Sequence, residues 1–462
     1  MTVLLPLEVK VREFHSKIFL ASKILNKTNF DVLIGEKSKV YNLFKKNKGT
    51  YLLSKGGPRP GFRFEKKKYK DNFLGILDEE GPISNFDVDA KRSRLNSYIL
   101  ENVDDYFLWG NEDLSKNNSF FFRFKKKLKN YGHPKFDILK KNHIKFYEKE
   151  IKLLKKKYKK FIFVSSSFPV DQVIKQETFN KFRFYNVTFV MKKKKEVIEK
   201  NYHKFLKLEK ENYLSLIDLL NNFAHKNPEI NIIFRPHPRQ RIDLVKKRFN
   251  NKNKNIKIIY EDVITPWIAA SELYLHGGCS SSLEAASLEK KIIYYVKHRE
   301  RKAKMFSEFG YHFENFNKCL NFMCLKIKKN KFDLKKSQKP IRIIQNSKKE
   351  ILFYENFINF LLKKYRDKIT PIDKFYDNKS QISNFFSQFK ILVKKIILKI
   401  PILTNLFFIL DPGIILSHEH KKNKFSSLKL SEIKEALFRL TKKNKVKIKK
   451  LSDDLFLLKN KG

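Results

Sequence analysis

Two stretches hold the residue types that could do chemistry: Arg235-Pro236-His237-Pro238 and, about forty residues on, Leu275-His276-Gly277-Gly278-Cys279-Ser280-Ser281-Ser282-Leu283-Glu284. Pro236 and Pro238 forbid helix and withdraw two N–H donors, so the His237 imidazole is presented on a rigid loop. Arg235 adds anion-binding capacity beside it. Ser280, Ser281 and Ser282, with free backbone N–H groups at a helix start, make a cradle for phosphate. Gly277 and Gly278 let a ligand approach the backbone closely, and Glu284, one turn inside, can accept bonds from ribose hydroxyls. Plainer readings stand beside these: a serine run also caps helices, and a first-turn acid is also a solvated face. Together the residues point to a nucleotide-sugar site.

Asp78-Glu79-Glu80-Gly81 is the second constellation. Three successive carboxylates repel one another, which should raise at least one pKa and poise a general base for a sugar hydroxyl. A solvated acidic turn is the plainer reading. No P-loop, Ser-His-Asp elbow or His-Glu-x-x-His zinc motif occurs.

Both constellations need strand ends to present them, since open α/β sheets bind ligands at their carboxyl edges. Apolar runs predict strands over Thr2–Leu5, Asp31–Ile34, Tyr51–Leu53, Asn72–Leu77 and Asp105–Leu108, with a helix over Val11–Leu25. A second series follows: Lys160–Val164 running into Ser165-Ser166-Ser167, a charged helix over Lys194–Asn222, strands Ile230–Phe234, Ile256–Tyr260 and Leu273–Leu275, a helix Ser281–Leu288 and a strand Lys291–Val296. Such alternation implies doubly wound parallel α/β sheets. The expected architecture is two Rossmann-like units facing a cleft. Residues 1–156 form an acceptor and catalytic-base domain, 157–365 a nucleotide-binding domain, and 366–462 a C-terminal helical extension. Within the extension, Phe385–Ile400 reads as a basic amphipathic helix broken by Pro401. Its apolar face either packs on the body or lies in a membrane interface. Ser431–Leu440 reads as a helix with Ser431 as its N-cap.

The chain has 462 residues, with Lys+Arg 100 against Asp+Glu 48, a formal charge of +52. So large an excess raises nucleic-acid binding, but the lysines are spread over the whole chain, arginine is sparse and no nucleic-acid motif accompanies them. Composition bias is the preferred reading; an anionic membrane surface stays open and nucleic acid is disfavoured. Hydrophobic residues make up 42% and include 44 Phe, enough for packed cores rather than disorder. Three cysteines (Cys279, Cys319, Cys324) without Cys-x-x-Cys spacing fit neither a disulfide framework nor a zinc site. No signal peptide and no spanning helix is expected.

The chain resembles bacterial surface carbohydrate (surface polysaccharide) biosynthesis proteins over residues 1 to about 300. The resemblance rests on Leu5-Pro6-Leu7-Glu8-Val9-Lys10-Val11-Arg12-Glu13, Leu77-Asp78-Glu79-Glu80-Gly81, Trp109-Gly110, Gly132-His133-Pro134-Lys135-Phe136-Asp137, Arg235-Pro236-His237-Pro238 and Gly278-Cys279-Ser280-Ser281-Ser282-Leu283-Glu284-Ala285. Lys135 stands where arginine is expected and Ser280 where threonine is usual. The family's plan is GT-B-like. The chain is more distantly similar to sialyl-, polysialyl- and Kdo-transferases and to CDP-glycerol-type glycerophosphotransferases. That similarity implies that His237-Pro238 and the serines hold a cytidine nucleotide and that Glu80 or Glu79 deprotonates the acceptor.

The expected function is therefore a glycosyltransferase of capsule or lipopolysaccharide biosynthesis. It would take a nucleotide-linked sugar, by the resemblance CMP-linked, to a glycan or lipid-linked glycan, with no metal and no cofactor. Its expected place is the cytoplasm, with a peripheral position on the inner membrane face left open. A polyol-phosphate transferase, an epimerase-like nucleotide-sugar enzyme, and a basic scaffold without catalysis remain alternatives.

Overall fold

The structure, a computed structural model, describes residues 2–55, 69, 71–79, 95, 97–110, 122–168, 195–237, 240, 242–261, 263–299, 309–329, 344, 351–367, 425–441 and 446–460. Glu80, Pro238 and the Phe385–Ile400 segment lie outside the described residues.

Two sheets organise the chain. The first has eight strands in the order β13-β14-β2-β1-β3-β4-β5-β6. These are β1 (Thr2–Leu7), β2 (Asp31–Glu36), β3 (Thr50–Ser54), β4 (Phe73–Leu77), β5 (Asp105–Leu108), β6 (Leu128–Asn130), β13 (Val446–Ser452) and β14 (Leu455–Asn460). The second has six, in the order β12-β11-β10-β7-β8-β9. Its strands are β7 (Phe161–Ser165), β8 (Asn231–Arg235), β9 (Ile256–Ile258), β10 (Leu273–His276), β11 (Lys291–Tyr295) and β12 (Tyr311–Phe313). Every pairing is parallel except the β13–β14 hairpin and its junction with β2. Central strands such as β1 and β7 are buried at every position, as sheets covered on both faces require. Two Rossmann-like units are thus present.

Helix α1 (Lys10–Lys27) shows how sequence sets the elements that carry the site. Phe14, Ile18, Phe19 and Leu25 are buried, as are Leu20, Ala21 and Ile24. Val9 has no capping side chain; the Glu13 carboxylate instead accepts from the N–H groups of Glu8 (2.9 Å) and Val9 (3.2 Å).

The domain boundaries differ from those expected. The helix Glu148–Tyr158 packs on the helix Ile264–Ala270, so the first crossing lies before residue 156. The helix Phe353–Tyr365 belongs to the first unit. Its first N–H groups, those of Phe353 and Tyr354, donate to the fully buried Asp137 carboxylate at 2.9 Å each, and Tyr365 donates to Asp105 at 2.6 Å. Nor are residues 366–462 a separate extension, because β14 pairs with β2 and the helix Leu430–Thr441 packs on α1. That helix begins one residue before Ser431, and Glu432 accepts the Lys429 N–H at 2.8 Å, so Ser431 is not its N-cap. Among the described residues, no helix is long and apolar enough to cross a membrane.

Candidate functional site

The acidic loop follows β4, and its second carboxylate is the centre of a buried charge cluster. Glu79 is 5% exposed; Lys17 Nζ lies 3.1 Å from Oε1 and His133 Nε2 3.1 Å from Oε2. Lys17 comes from the second turn of α1 and also donates to the Pro6 carbonyl at 2.5 Å. Burial alone would raise the pKa of Glu79, but the Lys17 ammonium and His133 outweigh it and hold the carboxyl well below the usual range. The expected raised pKa is therefore not found at Glu79. Repulsion along the triplet is overridden by a buried ammonium supplied from α1. A carboxylate so held is a weak base, which counts against Glu79 as the proton acceptor. Asp78 is buried, and its carbonyl accepts from Trp109 Nε1 at 2.7 Å.

His133 ties this loop to the cleft. Its Nδ1 accepts from the Lys135 N–H at 3.1 Å as N-cap of the short helix Pro134–Asp137, which leaves the proton on Nε2 facing Glu79. From that helix Lys135 reaches into the other unit: its Nζ lies 2.5 Å from Oε1 of Glu284, whose other oxygen accepts from Thr265 Oγ1 at 2.6 Å. Lys135 follows β6 and Glu284 follows β10, so the carboxyl edges of the two sheets face each other. This is the GT-B plan. Glu284, assigned above to ribose hydroxyls, is engaged across the cleft in this state.

In the second unit, β7–β8–β9 run one way from β7 and β10–β11–β12 the other. The switch point, where such sheets open a crevice, lies between β7 and β10. The Arg235-Pro236-His237 loop and the Gly277–Ser282 loop are consequently not on adjacent strands. β7 separates them, and its Ser165-Ser166-Ser167 loop joins both. The Ser166 N–H donates to the Arg235 carbonyl at 2.9 Å, and Ser167 Oγ donates to the Gly277 carbonyl at 2.7 Å. Ser165 and Ser281 both hydrogen-bond the buried Tyr274 hydroxyl, the latter at 2.6 Å.

The N–H groups expected to be free are partly used internally. His276, fully buried and stacked between Tyr274 and Tyr294, accepts at Nδ1 from the N–H groups of Gly278 and Cys279, both at 3.2 Å. The Ser282 and Leu283 N–H groups donate to Cys279 and Ser280 carbonyls, and Ser282 Oγ donates to the Cys279 carbonyl at 2.8 Å. Ser281 and Ser282 shape the turn, whereas Ser280 is exposed. Gly278 has φ 101°, which favours glycine. At Gly277 the close approach is made by Phe168: a Cβ there would fall inside contact distance of its ring. Gly277→Ala should accordingly cost about 1–3 kcal/mol in urea unfolding; an unchanged midpoint would show that Phe168 gives way freely.

Arg235 is spent on structure, donating to the Glu261 carbonyl at 2.7 Å with its guanidinium over the Tyr260 ring. His237 is partly exposed, and its loop is closed by reciprocal bonds with Gln240. Sequence reasoning assigned no role to Lys17, His133, Ser165, Ser167, Thr265 or His276. The serine run after β7 carried a visible signal, a polar triplet at the end of a buried strand, and His133 and His276 lay inside motifs already singled out without a role being assigned to them.

No family model matches the chain, and no curated protein matches it in sequence. Solved structures with a similar chain path include the UDP-GlcNAc 2-epimerase of Methanocaldococcus jannaschii in complex with UDP-GlcNAc and UDP (13% identity, TM-score 0.46, 79% of this chain and 100% of that chain). A putative UDP-N-acetylglucosamine 2-epimerase from Listeria monocytogenes is similar at 10% identity and TM-score 0.47 (80% and 96% covered). The wall teichoic acid polymerase TagF is similar at 9% identity and TM-score 0.43 (84% and 89% covered).

Proposed function

We propose that this chain is a nucleotide-sugar enzyme of surface-glycan biosynthesis, a glycosyltransferase that moves a sugar from a nucleotide-linked donor to a glycan hydroxyl. The observation that carries the reading is the Lys135–Glu284 contact, which sets the switch-point crevice of the second unit opposite the acidic loop of the first. On this reading the nucleotide lies along the loops after β7, β8 and β10, against Ser280, Gly278 and His237. A carboxylate of Asp78 or Glu80 takes the proton of the acceptor hydroxyl as its oxygen bonds to the anomeric carbon, and the nucleotide phosphate leaves with the electron pair of the broken bond. A CMP-linked donor follows from the resemblance, and neither metal nor cofactor is required.

Thermal-shift titration with CMP, CDP and UDP compounds tests the donor, since the true ligand stabilises the fold by mass action. His237→Ala should abolish the shift, whereas Glu80→Gln should keep it and lose turnover. Normal turnover in Glu80→Gln moves the base to Asp78. A polyol-phosphate transferase predicts a response to CDP-glycerol, and an epimerase predicts turnover without an acceptor.

A further inference from the structure

A cavity of about 370 Å³ opens beside the contact between the units, and nothing in the proposed chemistry uses it. Its walls come from α1, the connecting segment 144–158, the start of the helix Ile264–Ala270 and the helix Leu430–Thr441. Tyr147 links it to the cleft: its phenol is buried beside the Glu284 carboxylate, which together push its pKa up, and it bonds Thr265, the partner of Glu284.

The lining decides what fits. Both cations are already neutralised: Lys10 lies 2.7 Å from Glu432, and Arg439 lies 2.5 Å from Glu150 and 2.6 Å from Glu435. Among the described residues that line the cavity, no cation is left over to select a phosphate or carboxylate. His15 is uncharged near neutral pH, because burial and the nearby Arg439 and Lys10 charges lower its pKa to about 3. Its Nδ1 is enclosed and, among the described residues, has no hydrogen-bond partner. The ring can therefore address the cavity only through Nε2. A buried acceptor without a partner costs less than a buried N–H without one, so the proton sits on Nε2. The cavity thus offers one neutral donor, a carboxylate rim that accepts from hydroxyls, and apolar wall from Phe14, Phe146, Val263 and Pro266.

We infer that this cavity is a subsite for a neutral saccharide unit of the acceptor, held by His15 Nε2 and the Glu432 and Glu435 carboxylates. The assignment of the saccharide to the acceptor rests on the transferase reading; the binding itself does not. Saturation-transfer NMR with methyl glycosides of glucose, galactose and N-acetylglucosamine, beside glycerol phosphate and sialic acid, reads it directly. Wild type should bind at least one neutral glycoside and neither anion. His15→Ala should weaken that binding about fivefold, as loss of one neutral hydrogen bond implies, with the nucleotide thermal shift unchanged. Glu435→Gln, at a solvent-facing position, should weaken it without threatening the fold. Binding of no neutral glycoside, preference for the anions, or equal binding in both variants overturns the inference. Glycoside binding without any nucleotide response would sink the transferase reading and leave the subsite standing.

Discussion

Lys17→Met should cost about 3–5 kcal/mol in urea unfolding at neutral pH, because it strands the Glu79 carboxylate in a site with almost no water. Lys17 is 1% exposed and contacts Glu13 and Glu79 together. Lys17→Met with Glu79→Gln should recover part of the loss, since the second change removes the stranded charge. The pH dependence fixes the sign. In the wild type the folded pKa of Glu79 is depressed, so its stabilisation is complete at neutral pH, begins to fall as pH drops below the ordinary carboxylate pKa and is gone only below the depressed folded value. In Lys17→Met burial raises that pKa instead, so acidification relieves the variant and the gap between the two proteins narrows. A cost below about 1 kcal/mol at both neutral and mildly acidic pH would remove Lys17 from the centre of the cluster.

Lys135→Ala should have the second-largest effect, and it should appear as a change of shape. The substitution leaves Glu284, 1% exposed, with Thr265 as its remaining hydroxyl partner and removes the ion pair across the cleft. Lys135 retains some exposure, so the expected cost is about 2 kcal/mol rather than that of a fully buried pair. Paired fluorophores on the two units should report a wider mean separation, and turnover should fall further than nucleotide affinity. Lys135→Arg should keep both, since a guanidinium can reach the same carboxylate with two N–H groups. Unchanged separation in Lys135→Ala would mean that other contacts hold the units.

Strand and helix alternation was legible because β1, β2, β7 and β8 are built on short, buried runs of Val, Ile, Leu and Phe. β6, with the sequence Leu-Lys-Asn, and the lysine-rich β13 carry no such run; both are edge strands, where polar residues are tolerated. Strand order was not legible at all. Local periodicity says which residues form strands, but not that β7 lies between β8 and β10 or that Ser165-Ser166-Ser167 joins the two loops. The acidic triplet was found by its composition. The behaviour of Glu79 depends on Lys17 and His133, far away along the chain, and pairing at that distance leaves no local mark. Asp137 and Phe353 meet for the same reason, which is how the domain boundary was misplaced.

The hairpin that closes the first sheet has a consequence for biosynthesis. As the nascent chain leaves the ribosome, β2 emerges early with Val32, Leu33 and Ile34 in its apolar centre, yet its outer partner β14 is separated from it by the whole second unit. Until residues 455–458 arrive, that edge is unpaired and open to other strands. The unit begun first is therefore the one completed last, and the second unit can fold while the first still waits for its border.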